Sequence, residues 1–387
     1  MLKKLLRKCP VCSNNTGQIL HDQHFVLPEN NQLPSSYNIV SCNSCGFVFA
    51  DMKANQKIYD NYYAQMAKYD TAINTSDISR YTETASIING LMPDKKTQIL
   101  DIGSGSGGLL LSLKKHGFKN LTALDPSDKA IKKIKKQGIM GFCGNILNNQ
   151  LNQKYDLVIL TGVLEHIYDV CMAMRAVIKL SAKNGLIFIE VPDAGRYANY
   201  PIKKEPFHYF NTEHINHFEE TSLHNLAAIN KIEKLKIIKG DVAVSSLVKY
   251  PDIIFICKNS RGNLKKVSGK AKENVLKYIS LSKKSMPYEK KIKILKREKS
   301  LAIYGAGNFT QRILANTSLA DAKITCFIDG DPNKQGKKLG GIRIYGPDQI
   351  AKLPLETPIV ISSAVYADEI CEKLIKMKIK NKIVLLN

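Results

Sequence analysis

Short unbroken apolar runs alternate along this chain with stretches whose apolar residues recur at helical spacing. The first kind marks strands buried on both faces, and the second marks helices packed on them. From about residue 97, "QILDIGSGSGGLLLSLKKHG" predicts a strand, a glycine-rich turn and a helix, and "LTALDPS" predicts a second strand ending at Asp125. "GFCGNI" carries the chain through Asn145, "YDLVILTGVLEHI" predicts another buried strand, and "GLIFIEVPD" one more. "SLHNLAAINK" follows as a helix for which Thr221 or Glu220 offers a cap. From residue 300 the rhythm restarts. "SLAIYGAGNFTQRIL" reads as strand, glycine turn and helix, "KITCFIDGDPNKQG" as a strand ending at Asp329, and "TPIVISSAVYADEICEKLI" as a further strand and helix. This repeated order predicts an α/β protein with two Rossmann-like parts.

A length of 387 residues suits two or three domains. We place boundaries at 1–75, 76–260, 261–299 and 300–387. The basic start, "MLKKLLRKCPVC", is followed by no apolar run of signal-peptide length, and no window is apolar enough for a membrane span, so a cytoplasmic protein without membrane insertion is expected. The formal charge of +23 is mostly lysine spread along the chain. Its dense run is 261–299, where Val275, Leu276, Ile279, Ile292 and Leu295 predict interrupted amphipathic helices packed on a neighbour. That run could also meet a phosphorylated substrate or RNA, but it lacks the stacking aromatics of nucleic-acid surfaces.

The front of the chain carries different chemistry. Cys9 and Cys12 in "CPVC" and Cys42 and Cys45 in "CNSC" form two C-x-x-C pairs with 29 residues between them. Two such turns supply the four soft ligands of tetrahedral zinc, and a site with all four positions filled is structural. Unconnected or redox thiols are the alternative. His21 and His24 then have no necessary ligand role. Cys143, Cys171, Cys257, Cys326 and Cys371 are isolated and expected to be small buried hydrophobes.

In the central part, Gly103, Gly105 and Gly107 let backbone approach a ligand closely, Asp101 closes the first strand, and Asp125 stands where a carboxylate can bind ribose hydroxyls. An NAD-type Rossmann domain is the rival, but the turn reads G-x-G-x-G-G, and "LEHI" after the third strand has no dehydrogenase counterpart. The succession over roughly 97–260 resembles the class I S-adenosylmethionine (SAM)-dependent methyltransferases. The resemblance implies that "DIGSGSG", with Asp101, Gly103, Ser104 and Gly105, is their first motif. It implies that Asp125 and Pro126 lie at the ribose, that Asn145 faces the adenine amine, and that Thr161 and Gly162 line the methionine end. Glu165 and His166 are expected to cap and pack their turn.

"NTEHINHFEETSL", residues 211–223, follows the "IEVPD" strand and a loop containing Arg196, Tyr197, Tyr200, His208 and Tyr209. Beyond the carboxyl ends of the strands such a loop overhangs the methyl donor. Methyl transfer needs a proton acceptor with a pKa near neutrality, which suits His214, with Glu213 or a neighbour orienting the ring. The segment could instead only shape the pocket, and a metal would need a third ligand beside His214 and His217.

The order of four-cysteine module, methyltransferase, Glu-His loop and C-terminal nucleotide-binding-like part is similar to the three-domain nucleotide-sugar C-methyltransferases. The resemblance implies His214 as catalytic base beside Glu213, acting next to a keto group of a nucleotide-linked deoxysugar. That family's tyrosine two residues before the glutamate is Asn211 here, with Tyr209 as a possible substitute. His217, Gly305, Gly307 and Asp329 become substrate-binding candidates, and sugar O-methylation or RNA methylation are the alternatives. Metal analysis of the purified protein is expected to find about one zinc per chain, and Cys12→Ser to impair solubility. A zinc-free protein that folds normally would contradict this.

Overall fold

The computed structural model describes residues 3–65, 75–200, 205–243, 249–267, 269, 271–286, 288–363 and 365–386. Met66 to Tyr69 of a tyrosine-rich segment, and Ser268, Lys270 and Pro287 of the basic run, lie outside the described residues. Two compact units emerge. The first comprises residues 1–20, 39–200 and 213–276, and the second 21–38, 201–212 and 277–387.

The larger sheet of the first unit explains the central apolar runs. Its strands are β5 (Gln98–Ile102), β6 (Asn120–Asp125), β7 (Met140–Cys143), β8 (Tyr155–Thr161), β9 (Ser181–Pro192), β11 (Ile232–Ala243) and β12 (Lys249–Arg261). They lie in the order β11-β12-β9-β8-β5-β6-β7. β5 pairs in parallel with both β6 and β8, whereas β12 runs antiparallel to both neighbours. The order reverses direction at β5, and the crevice beyond the carboxyl ends of β5 and β8 is where such sheets hold ligands.

Side chains alternate between two cores, as period-2 strands require. Ile99, Leu157, Ile159 and Phe188 pack with Ala85 and Ile88 of α2 (Thr75–Leu91), Leu110 and Leu113 of α3 (Gly108–Lys115), and Ile131 and Ile134 of α4 (Asp128–Lys136). Leu100, Val158, Leu160 and Ile189 face the other way, toward Val177 of α5 (Val170–Leu180) and Leu223 and Leu226 of α6 (Glu220–Asn230). Phe47, Phe49, Cys9 and Cys45 belong to that second core, so the cysteine module and the large sheet share one interior.

The module's sheet contains β1 (Lys3–Lys4), β2 (Thr16–His24), β3 (Ser36–Cys42), β4 (Val48–Asp51) and, from much later in the chain, β10 (Asn216–His217). α1 (Gln56–Gln65) follows it. The second unit holds the sheet order β15-β16-β14-β13-β17-β18. These strands are β13 (Leu301–Tyr304), β14 (Ile324–Ile328), β15 (Lys338–Leu339), β16 (Ile342–Tyr345), β17 (Ile359–Ile361) and β18 (Ile383–Leu385), with α9 (Asn308–Asn316) after β13 and α10 (Ala367–Lys376) after β17. β14, β13, β17 and β18 pair in parallel, as the restarted rhythm predicts. In this unit Arg312 is buried and donates to the carbonyls of Pro206 and Phe210 and to Gln23.

Three local expectations need correction. α6 is capped by Glu219, whose carboxylate accepts from Thr221 and Ser222 while Ser222 returns a bond, so neither Thr221 nor Glu220 is the cap. Cys143 is exposed because it ends the edge strand β7, and Cys171 and Cys371 are half-buried; Cys257 and Cys326 are buried. In α7 (Ala271–Lys284) and α8 (Glu289–Leu295), Val275, Ile279, Ile292 and Leu295 are buried, but Leu276 is exposed because it falls off the i, i+4 face of Val275 and Ile279. Among the described residues, no helix is long and apolar enough to cross a membrane.

Candidate active site

Past β5 the backbone turns through Gly103, Gly105 and Gly107, all at positive φ. A Cβ on Gly103 would stand 2.6 Å from Val163 Cγ2, so the turn is packed as tightly as only glycine allows. Asp125 fixes it from the next strand: Oδ2 accepts from Gly105 N and Oδ1 from Ser127 N, both at 2.8 Å. Beside this turn a cleft is lined by Gly103, Asp125, Pro126, Asn145 and Gly162, together with Tyr63, His166 and Glu213. Asn145 Oδ1 is already committed to its own loop, accepting from Leu147 N and Asn148 N. Ser104 is buried with no hydrogen-bond partner for its hydroxyl among the described residues, and Thr161, half-buried, ends β8 opposite Glu190. A nucleoside with a cationic methyl group fits this cradle of glycine backbone and strand-end acids.

Asp101 lies beneath the turn, 2% exposed, and Oδ1 has no partner among the described residues. Burial, then the Asp125 and Glu190 carboxylates, push its pKa up to about 8. Glu190 takes Arg80 Nε at 2.8 Å.

At the cleft's other wall, the structure assembles a cluster that sequence reading only half anticipated. Glu213 Oε1 accepts from Tyr62 OH at 3.0 Å. His166 Nδ1 lies 2.8 Å from Tyr63 OH and 3.1 Å from the Glu213 carbonyl. The His166 and His214 rings meet edge-on, with centroids 4.8 Å apart. Glu165 is buried with Oε2 unpartnered, its Oε1 is 3.9 Å from His166 Nε2, and burial raises its pKa. One ligand atom each from Glu165, His166 and His214 lies within 4.8 Å of the others. His166 therefore stands in the cleft instead of only packing its turn, and "LEHI" was its sequence signal. Tyr62 and Tyr63 gave none beyond a tyrosine-rich stretch.

His217 is fully buried, with Tyr197 OH 3.4 Å from Nδ1, and burial lowers its pKa to about 3, so it is neutral near pH 7. Tyr209 is buried in the second unit against Tyr278. Asp329 is occupied by Ala306 N, Asp331 N and Lys334 Nζ, and a Cβ on Gly305 would meet Ser362 O at 2.6 Å. At Gly307, the N-cap of α9, the nearest atom to such a Cβ is Lys334 Nζ, 3.9 Å away. Cys9, Cys12, Cys42 and Cys45 converge, with Cys9–Cys45 sulfurs 3.6 Å apart and Cys12–Cys42 sulfurs 3.5 Å apart. Thiolates about 2.3 Å from a tetrahedral zinc are separated by roughly 3.8 Å, so the four fit that ion.

Residues 76–229 match the family described as "Methyltransferase domain", and residues 297–385 match the one described as "C2185-like, N-terminal". Over residues 76–229 the chain carries a methyltransferase domain. No curated protein matches. Among solved structures, magnesium protoporphyrin IX methyltransferase from Synechocystis PCC 6803 with bound SAM is 13% identical, with a TM-score of 0.39 over 54% of this chain and 99% of that one. N-methyltransferase NodS from Bradyrhizobium japonicum WM9 is 16% identical, with a TM-score of 0.37 over 49% and 100%.

In the methyltransferase domain, Asp101 holds a proton that the unfolded chain would lose above about pH 4, so its ionisation weakens the fold as pH rises toward 8. A cationic methyl donor favours the ionised form. SAM binding is therefore expected to release a proton near pH 7 and to tighten as pH climbs to about 8. Calorimetry in buffers of different ionisation enthalpy reads this, and Asp101→Asn should abolish it; equal release by that variant would contradict the assignment.

Proposed function

We propose that this enzyme transfers the methyl group of SAM to carbon next to a keto group of a nucleotide-linked deoxysugar, with His214 as base. The observation that carries the reading is His214 standing edge-on to His166 on the segment whose Glu213 lines the cleft. The imidazole takes the C–H proton, the enolate carbon attacks the methyl group, and the carbon–sulfur bond breaks to leave the neutral thioether. His166, oriented by Tyr63 and the Glu213 carbonyl, positions the base, with the buried Glu165 carboxyl 3.9 Å from its Nε2. The acceptor class rests on the resemblance of the whole arrangement, from four-cysteine module to second parallel sheet, to nucleotide-sugar C-methyltransferases. The one zinc expected at the cysteines takes no part in the chemistry.

A second reading draws on the Glu165–His166–His214 cluster. Two imidazoles and a carboxylate could hold a divalent cation that acidifies a sugar hydroxyl for O-methylation.

Incubation with SAM and a panel of keto-deoxysugar nucleotides, followed by mass spectrometry and NMR, places the methyl. His214→Ala is expected to cut turnover at least about 100-fold while leaving SAM affinity within about twofold. Turnover by the parent protein should survive chelation under which the cysteine-bound zinc remains. Unchanged turnover in the variant removes His214 as base, and loss on chelation favours the cation.

A further inference from the structure

We propose that Arg7 is a positioning residue for the methyl-transfer site: from the cysteine module it holds the Glu213–His214 segment against His166. The inference rests on the reading of that segment as the base-bearing one. Arg7 is 3% exposed. Its guanidinium donates to the carbonyls of Ala50, Ile215, Ile167 and Tyr168 and to Asn216 Oδ1. Its backbone N donates to Asp51 Oδ1 at 2.7 Å, and its Cζ lies over the Tyr168 ring, 4.4 Å from the centroid.

These acceptors belong to three separate stretches: β4 of the module, the 164–168 turn that carries His166, and the 213–217 segment that carries His214. The same three are laced together around the arginine. Asn216 Nδ2 donates to Leu164 O and Ile167 O at 2.7 Å each, Ile215 N to Glu165 O at 2.9 Å, and Ala50 N to Ile215 O at 2.9 Å. β10 is thereby added to β4 with Asn216 opposite Phe49 and His217 opposite Val48. A planar fork serves several carbonyls at fixed angles, whereas an ammonium cannot reach them together. The 2.8 and 3.1 Å contacts of His166 and its edge-on approach to His214 follow from this lacing.

The test uses full-length, zinc-loaded protein carrying Arg7→Ala, Arg7→Lys or Asn216→Ala. His166 and His214 imidazole resonances, assigned with His→Gln variants, are followed by NMR with and without S-adenosylhomocysteine. In Arg7→Ala both resonances should leave their parent positions while affinity for SAM stays within about twofold. Turnover should fall about 100-fold through kcat with little change in the KM for SAM, as a misplacement of about 1 Å costs. Millimolar guanidinium should restore both readouts in Arg7→Ala, and Arg7→Lys should behave like the alanine variant. Parent-like imidazole signals in Arg7→Ala would overturn the proposal. If Arg7→Ala loses SAM binding through unfolding, parent-like signals in Asn216→Ala overturn it and displaced signals support it. Should His214→Ala prove fully active, the base assignment falls while the imidazole readout still decides the clamp.

Discussion

A buried guanidinium that must find acceptors for its donors ties together the stretches that carry Glu165, His166, Glu213 and His214. Arg7 is surrounded by main-chain carbonyls and aromatic faces, and burial lowers its pKa to about 10 without neutralising it near pH 7. A charged group so placed is costly unless its donors find acceptors; four carbonyls and one side-chain amide take Nη1 and Nη2, while Nε has no partner among the described residues. The constraint runs both ways. The carbonyls of the 164–168 turn and of Ile215 lie outside regular pairing with the large sheet and need donors of their own. The four-cysteine module at the front of the chain is thus tied through Arg7 to the 164–168 turn and the 213–217 segment.

The opposite wall is governed by burial of negative charge. Asp101, Asp125, Glu190 and Asp252 gather near the carboxyl ends of the strands, and burial raises the pKa values of Asp101, Asp125 and Asp252. Arg80 answers Glu190 directly. Such a site favours a cationic ligand over a neutral one, since the ligand's charge offsets a repulsion the protein otherwise bears. That preference is the electrostatic difference between the sulfonium donor and its neutral thioether product.

The fold was legible because its signals are local. Apolar runs of strand length, glycine turns and helical spacing mark the parallel strands of both mixed sheets, and alternation of Ile99 and Leu100 or of Val158 and Ile159 between two cores is the period written in the sequence. The cysteine cluster was equally plain from its doubled spacing. The lacing was not legible, because β10 pairs with a strand more than 160 residues earlier and no local pattern marks a two-residue strand. Composition offered one unused hint. In a chain with 57 lysines and arginines only eight are arginine, and Arg7, Arg80, Arg196 and Arg312 all hold carboxylates or carbonyls that need a planar fork. Tyr209, which the resemblance offers in place of the tyrosine missing before Glu213, packs on Tyr278. Asp329 has the spacing of a ribose ligand, and its oxygens accept from Ala306 N, Asp331 N and Lys334 Nζ.

The central claim is that an imidazole removes a carbon-bound proton before the methyl group moves. Deuterium exchange in heavy water, with S-adenosylhomocysteine in place of SAM and the panel of keto-deoxysugar nucleotides as acceptors, isolates that step. The account predicts deuterium at the carbon beside the keto group with the parent protein and none above background with His214→Ala. Equal exchange by both proteins, or no exchange with any member of the panel, would contradict it.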